Sequence, residues 1–308
     1  MAYHQWSRNA QILDLVHVPD NLSLVFPGYP LLDDRQVLAV SGPDAVAFAH
    51  AQFSSDVQAL ADNHWQWSAW LTAKGRTIAV FQLIRRSPEE LLLVLADGDA
   101  DEIGSQLQRF VFRRKVRIGL RNDLRVTGAF TAPECAVGAA LAVPADGTLE
   151  LDMGSDALPR VMRLGPALED DADHNPSADA RFREAWRQAD LRFGLPRLDA
   201  QQREQWTPQQ LGLDRLNGYS VKKGCYPGQE IVARTHFLGK AKRSLQLLQV
   251  AAASAGHTVE QDGSALGTVA SVAGNLALAV LPLETSDMPL SIAGQAAQRM
   301  PLLDGLAR

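Results

Sequence analysis

The pattern of apolar and polar positions over the first 130 residues predicts strands and helices in mixed order. Apolar runs and period-two alternation predict strands at residues 35–40, 65–71, 77–84, 90–96, 116–120 and 124–130. Helical spacing of apolar residues predicts one helix after Ser41-Gly42-Pro43-Asp44 and another over residues 99–112. Residues 73–76 predict a hairpin turn. This order is typical of an α+β sheet with helices on one side.

The pattern changes in the second half of the chain. Residues 169–179 hold five acids and no Lys or Arg, which predicts an exposed loop. Asp179 can cap a helix that runs to Phe193. After Lys240, short apolar runs separated by glycine-containing turns predict a small β-barrel or sandwich. We therefore predict an α+β domain over residues 1–240, with two subdomains that divide near 130–180, and a β-barrel domain over 241–308.

Composition and charge narrow the functional class. The 308 residues are 46% hydrophobic and 21% charged, as in an average soluble globular protein. A net charge of −5 argues against a general nucleic-acid coat. No apolar run approaches the ~18 residues of a membrane span, and residues 1–20 lack the apolar core of a signal peptide. We therefore expect a cytoplasmic protein without a membrane partner.

Residues 222–230, Lys-Lys-Gly-Cys-Tyr-Pro-Gly-Gln-Glu, carry the candidate chemistry. Thiolate is the reactive form of cysteine, and the cations of Lys222 and Lys223 would favour it at Cys225. Tyr226 to Gln229 predict a turn, with proline second and glycine third. Gly224 predicts a close approach of the backbone to another group. The segment thus predicts a loop that presents a functional thiol, against the alternative of a buried cysteine in an ordinary turn.

The other cysteine and the histidines indicate no further site. Cys135 has no basic neighbour, so we expect it to be a packing residue. The two cysteines lie far apart, and no Cys-x-x-Cys or Cys/His spacing occurs, so neither a disulfide scaffold nor a metal site is predicted.

Two basic blocks and one tryptophan are candidates for ligand contacts. Residues 109–125 hold seven Lys or Arg against one acid, and residues 217–245 hold six against one. Such blocks suit a polyglutamate tail, a phosphate or RNA, or else are solvated faces. Trp186 lies mid-helix near Arg183 and Arg187, so it could stack a flat ligand or pack in the core.

Residues 223–230 resemble the signature Lys-Gly-Cys-Tyr-x-Gly-Gln-Glu of the YgfZ family. The resemblance extends over most of the chain, to residues 41–45, 73–76, 194–196 and 231–234, and to Gln52 with Asp56. It implies a protein that binds tetrahydrofolate or a derivative and supports assembly or repair of iron–sulfur enzymes, with tRNA as a further partner, since the family is often labelled tRNA-modifying. It also implies the fold of the glycine-cleavage aminomethyltransferases, in which ferredoxin-like and related subdomains surround a folate channel and a β-barrel follows.

The resemblance assigns site residues as well. Two folate-contacting tryptophans of the family align with Arg35 and Trp186, so one stacking wall is replaced here. The other residues expected at the folate or the channel are Gln52, Asp56, Lys74, Lys223, Gly224, Tyr226, Gly228, Gln229, Glu230 and Arg234.

Two departures from the aminomethyltransferases affect the expected activity. Ile78 and Ala79 stand where those enzymes carry a catalytic aspartate, and Arg192-Phe193-Gly194 stands where they carry the pterin-holding glutamate and the Ala-Gly pair after it. Methylene-amine transfer is therefore not expected. Two alternatives stay open, a folate-dependent one-carbon transferase and an RNA- or protein-binding module that uses the basic blocks.

Overall fold

The computed structural model describes residues 28–96, 100–167, 176–239, 241–284 and 288–308. Within these residues the helices are α1 Ala45–Gln52, α2 Ala100–Gln108, α3 Pro176–Arg192 and α4 Gln229–Phe237. The strands are β1 Gln36–Ser41, β2 His64–Leu71, β3 Thr77–Ser87, β4 Glu90–Leu95, β5 Arg117–Leu120, β6 Leu124–Ala129, β7 Leu149–Asp152, β8 Val161–Pro166, β9 Arg243–Val250, β10 Thr258–Gln261, β11 Ser264–Ala273, β12 Leu276–Pro282, β13 Leu290–Ile292 and β14 Gln295–Met300. None of the described helices is long and apolar enough to cross a membrane.

The first sheet has the strand order β2-β3-β4-β1-β5, and all its neighbours pair antiparallel. Alternate side chains on one face of the sheet, such as Phe81 and Leu93, pack under α1 and α2 against Phe48 and Leu107. The strands predicted in this region are present. Helix α2 ends at Gln108, four residues earlier than predicted, because the chain turns there and Phe112 takes a left-handed backbone conformation with φ 46°.

A second sheet, with the order β6-β8-β7, follows in the region where we predicted the subdomain break. Its strands β7 and β8 were not predicted, because buried charges interrupt their apolar pattern. Glu150 and Arg163 are direct cross-strand partners, and both are buried. Their side chains form an ion pair of 2.8 Å, so each charge offsets the burial cost of the other.

Helix α3 begins at Pro176, earlier than the predicted cap at Asp179, and proline is favoured in a first helical turn. The acidic stretch before it, residues 169–175, lies outside the described residues. One face of α3 packs on β6, because Gly128 leaves room for the ring of Trp186. A Cβ at Gly128 would lie 2.7 Å from that ring.

The last six strands form a closed barrel in the order β10-β11-β12-β9-β14-β13. Its interior holds aliphatic side chains such as Leu248, Val259 and Ile292. The outer side of the barrel shares one core with the α+β part, where Leu278 and Trp67 belong to the same buried cluster. The predicted fold class, an α+β protein with a C-terminal β-barrel, is confirmed.

Candidate functional site

Cys225 is a free cysteine with an exposed side chain, at the tip of the loop that leads into α4. The start of this loop is fixed to the segment that follows α1. The Ser54 hydroxyl, which is fully buried, donates to the carbonyl of Gly218 at 2.6 Å. The backbone N–H of Ser220 donates to the carbonyl of Ser54 at 2.8 Å. The thiol therefore stands on a loop whose base is anchored in the protein interior.

Lys223 fastens the loop to the end of α1. Its ammonium donates to the carbonyls of His50 and Phe53, which are among the carbonyls left unpaired at a helix C-terminus. It also lies 4.6 Å from the ring centre of Tyr226. Burial lowers the pKa of Lys223 to about 8, partly opposed by the carboxylate of Asp56. The Lys223 ammonium is therefore held by backbone carbonyls, whereas Lys222 is exposed, and the effect of these cations on the Cys225 thiol stays a prediction.

Tyr226 and Gly228 shape the other side of the loop. The Tyr226 hydroxyl donates to the carbonyl of Ser220 at 3.0 Å, and burial raises the pKa of this phenol. The N–H of Gln229 donates to the carbonyl of Tyr226 at 3.1 Å, and Gly228 has φ 79°. The predicted turn with glycine at its third position is thus present.

The two glycines of the motif have different surroundings. A Cβ at Gly228 would lie 2.6 Å from Gly75 Cα and 2.7 Å from the carbonyl oxygen of Thr72, so only glycine fits against the β2–β3 turn. A Cβ at Gly224 would meet nothing within 4 Å. The close backbone approach expected at Gly224 is therefore wrong, and it occurs at Gly228 instead.

Several of the predicted site residues gather around this loop. The side-chain amide of Gln229 donates to the carbonyl of Lys223 at 2.9 Å. Asp56 lies 3.3 Å from His50, whose pKa is lowered by burial and by Lys223. Gln52 is the last residue of α1, directly before the carbonyl that Lys223 holds. Lys74 is exposed next to Gly75 in the turn that contacts Gly228.

Helix α4 carries the remaining two predicted residues of the loop region. Glu230 lies in its first turn and Arg234 in its last, and both side chains are exposed. The helix rests on the β2–β3 turn through Ile231, since a Cβ at Gly75 would lie 2.9 Å from the Ile231 side chain. The structure thus brings the two ends of the motif and the hairpin turn to one surface.

Arg35 and Trp186 lie elsewhere, in a buried cluster centred on Asp190. Arg35 pairs with Asp190 at 2.6 Å, and Arg160 pairs with the other carboxylate oxygen at 2.8 Å. Burial alone would raise the pKa of Asp190, but Arg35, Arg160 and Arg197 outweigh it and lower that pKa. Asp190 was not among the residues predicted for the site. Its spacing could have revealed it, because Phe182, Trp186 and Asp190 share one helical face at intervals of four.

Comparisons with known proteins identify the family and the fold of the chain. No family model matches the chain. Proteins named tRNA-modifying protein YgfZ from Colwellia psychrerythraea and Klebsiella pneumoniae are each 30% identical to it. The matches span 226 and 229 residues, which are 70% of this chain and 69% and 70% of the relatives. The chain belongs to the YgfZ family.

The fold of this YgfZ-family protein is that of an aminomethyltransferase. The crystal structure of glycine cleavage system aminomethyltransferase T from Bartonella henselae matches it with a TM-score of 0.67. The match covers 89% of this chain and 84% of that chain at 17% sequence identity, so it shows a common fold. At the start of β3, Thr77, Ile78 and Ala79 supply no carboxylate to a reaction at this hairpin.

Folate is implied by the family resemblance, and the residues around Arg35 and Trp186 are the ones expected to stack on it. Trp186 has no exposed surface, and the Arg160 guanidinium lies 4.7 Å from its ring centre. The cavity lined by Arg35, Trp67 and Asp190 measures about 20 Å³. Sites for drug-sized ligands measure about 300–1,000 Å³, and 20 Å³ holds roughly one water. These residues do not fit a pteridine in this arrangement, and stacking on Trp186 stays a prediction.

The second cysteine differs from expectation. Cys135 is exposed, so its assignment as a packing residue is wrong. Its backbone N–H donates to the buried carboxylate of Glu150 at 2.8 Å, which fixes the chain there and leaves the thiol outside. Sequence alone did not reveal this, because the turn that contains Cys135 is held by a backbone contact and needs no packing by its side chain.

Proposed function

We propose that this YgfZ-family protein acts in the cytoplasm to support iron–sulfur enzymes and that the thiol of Cys225 is its reactive group. The observation that supports the proposal is a free, exposed thiol on a loop that is fixed at Ser220, Lys223, Tyr226 and Gly228. A fixed loop lowers the conformational entropy lost when the thiol engages a partner.

The geometry favours chemistry between two proteins. In thiol–disulfide exchange, the Cys225 thiolate would attack a sulfur of a partner's disulfide. One S–S bond then forms between Cys225 and the partner, the partner's own S–S bond breaks, and its second sulfur leaves as a thiolate. The partner's disulfide is the only oxidant that this step needs.

A folate-dependent one-carbon transferase is the weaker alternative. The first residues of β3 include no carboxylate. The cavity lined by Arg35, Trp67 and Asp190 is too small for a pteridine ring. The proposal therefore assigns no step to folate, and tetrahydrofolate binding stays an expectation from the family resemblance.

The proposal predicts that Cys225→Ser abolishes function and leaves the fold intact. The experiment is complementation of a bacterial strain without its own YgfZ, with the activity of an iron–sulfur enzyme as the readout. Cys135→Ser is the matched control, because it removes the other exposed thiol, and it should complement like the wild type. Soluble yield and Tm of both variants should equal those of the wild type. Normal complementation by Cys225→Ser would refute the proposal.

A further inference from the structure

A cavity of about 300 Å³ lies between the first and the second sheet. The end of β3 and the start of β4 line one side of it, and β6, β7 and β8 with the turns before them line the other. Its lining residues belong neither to the thiol loop nor to the cluster around Asp190. The volume lies at the lower limit of small-molecule sites, which measure about 300–1,000 Å³. A ligand of this cavity is therefore a small molecule.

The floor of the cavity is aliphatic. Leu92 of the first sheet and Leu149 and Leu164 of the second line it, and each is less than one-tenth exposed. Leu149 and Leu164 are direct cross-strand partners, and all three leucines belong to the central core. The part of a ligand that reaches this floor meets hydrocarbon, so that part must be apolar.

The mouth of the cavity is charged, and on one side Arg121 is shared by two carboxylates. Its Nε and Nη2 donate to the two oxygens of Asp123 at 2.8 and 2.7 Å, and its Nη1 donates to Glu90 at 3.2 Å. These side chains are 31–64% exposed, so they lie at the rim. One guanidinium balances one of the two carboxylates, which leaves an excess of one negative charge here.

Arg86 lines the same cavity and carries the opposite charge. It lies in a β-bulge, where the pairing of β3 with β4 shifts between Arg85 and Ser87. Arg85 pairs with Asp62 at 2.6 Å, whereas Arg86 is half-buried and has no hydrogen bond or ion pair among the described residues. The N–H donors of its guanidinium are therefore open to a carboxylate, which can accept two of them side by side.

We propose that this cavity binds a free α-amino acid with an apolar side chain. The carboxylate of the ligand would pair with Arg86, its ammonium with Glu90 or Asp123, and its side chain would lie on the leucine floor. The charges at the rim cancel in sum but are separated, and a zwitterion separates its charges in the same way. A simple anion or a simple cation satisfies only one side of the rim. The inference goes beyond the proposed function, since it assigns no role to Cys225.

The first test measures binding of small molecules to the full chain by titration calorimetry. L-leucine and L-phenylalanine are the probes, and we expect saturable binding of at least one of them. Isocaproate is L-leucine without the ammonium, and isoamylamine is L-leucine without the carboxylate. Each should bind about tenfold more weakly or worse than the amino acid, because each leaves one charge of the rim without a partner. Glycine, which has no side chain to reach the floor, should also bind weakly.

Two variants assign the charges to residues. Arg86→Met should weaken binding of the amino acid by about tenfold or more. Arg114→Met is the matched control, because it removes an exposed arginine that does not line the cavity, and it should leave the affinity unchanged. Glu90→Gln removes the negative excess, so it should bind isocaproate at least as well as L-leucine. Both rim residues are partly exposed, so the Tm of each variant should stay close to that of the wild type.

Three outcomes would overturn the proposal. The first is that neither amino acid binds saturably to the wild-type chain. The second is that isocaproate or isoamylamine binds as tightly as L-leucine, which would make the site one for simple anions or amines. The third is that Arg86→Met binds the amino acid as the wild type does, or that Arg114→Met weakens binding equally. The comparison of ligands uses the wild-type chain alone, so it decides the matter even if a variant fails to fold.

Discussion

At the scale of single residues, the charged side chain of Lys223 holds the thiol loop in place. It lies in the signature of the family, and its ammonium is turned inward to the carbonyls of His50 and Phe53. Burial lowers the pKa of Lys223 to about 8. The folded state therefore binds this proton less tightly than the unfolded chain, whose lysine titrates at about 10.5.

This difference predicts a specific dependence of stability on pH. Below pH 8 the buried charge costs the folded state on the order of 3 kcal/mol, and the cost disappears as pH rises from about 8 to about 10.5. The free energy of unfolding of the wild type should therefore rise relative to Lys223→Met over that interval. Urea unfolding at several pH values measures this difference, and comparison with the variant cancels the titration of Tyr219 and Tyr226. A difference that is constant with pH would show that Lys223 is not buried as a charge.

Trp186 gives the second prediction at this scale. Its ring is fully buried between Phe130, Phe182 and Arg160, so Trp186→Ala should lower the free energy of unfolding by about 3–5 kcal/mol. Phe112→Ala removes a ring that is 86% exposed and should change the stability little. Urea unfolding of both variants decides the matter. An unchanged stability of Trp186→Ala, together with weaker tetrahydrofolate binding by calorimetry, would place Trp186 at a ligand instead.

At the scale of elements, α4 and the β2–β3 turn depend on contact between two glycines. Gly228 caps the start of α4 with φ 79°, and a Cβ there would lie 2.6 Å from Gly75 Cα and 2.7 Å from the carbonyl oxygen of Thr72. Gly228→Ala would meet backbone atoms that cannot rotate away, in a conformation that costs an alanine on the order of 1 kcal/mol even without the clash.

We therefore expect Gly228→Ala to lower the Tm and to increase proteolysis at the thiol loop. Gly224→Ala is the matched control, four residues away, where a Cβ meets nothing within 4 Å, and its Tm should stay close to that of the wild type. Calorimetry and limited proteolysis measure both effects. Equal Tm values for the two variants would mean that the contact with the hairpin does not hold the loop.

At the scale of the whole molecule, the last residues join the barrel to the α+β part. Leu306 is buried in the central core, and its carbonyl accepts from the Trp67 indole at 2.9 Å. The N–H of Leu303 donates to the carbonyl of Arg192 at the end of α3. Ser271 of β11 exchanges hydrogen bonds with the backbone of Arg197, which adds a second polar link.

Leu306→Ala should therefore destabilise the entire protein, by about 2–4 kcal/mol, in one cooperative transition. Leu283→Ala is the control, because Leu283 is 55% exposed and its truncation removes little buried surface. Scanning calorimetry checks the prediction. Separate melting of the barrel and the α+β part would show that the tail does not couple them.

The periodic part of the fold was predictable from the sequence, because each such element shows its own burial pattern. The strands of the first sheet and the hairpin turn at residues 73–76 were identified in this way. Strands β7 and β8 were not identified, because Glu150 and Arg163 are buried as a pair and so break the apolar alternation. A charged residue is predicted to be exposed unless its partner is known, and here Glu150 and Arg163 lie in different strands.

For the candidate site, the motif and the turn at Tyr226 to Gln229 were predictable from the sequence, since they depend on neighbours along the chain, and Cys225 is the candidate that this motif proposes. The folded core sets what the sequence could not show, namely that Lys223 faces inward, that Gly228 and not Gly224 makes the close approach, and that Arg35 pairs with Asp190. Each of these contacts joins residues far apart in sequence, so the direction in which a charge points is set by the folded core.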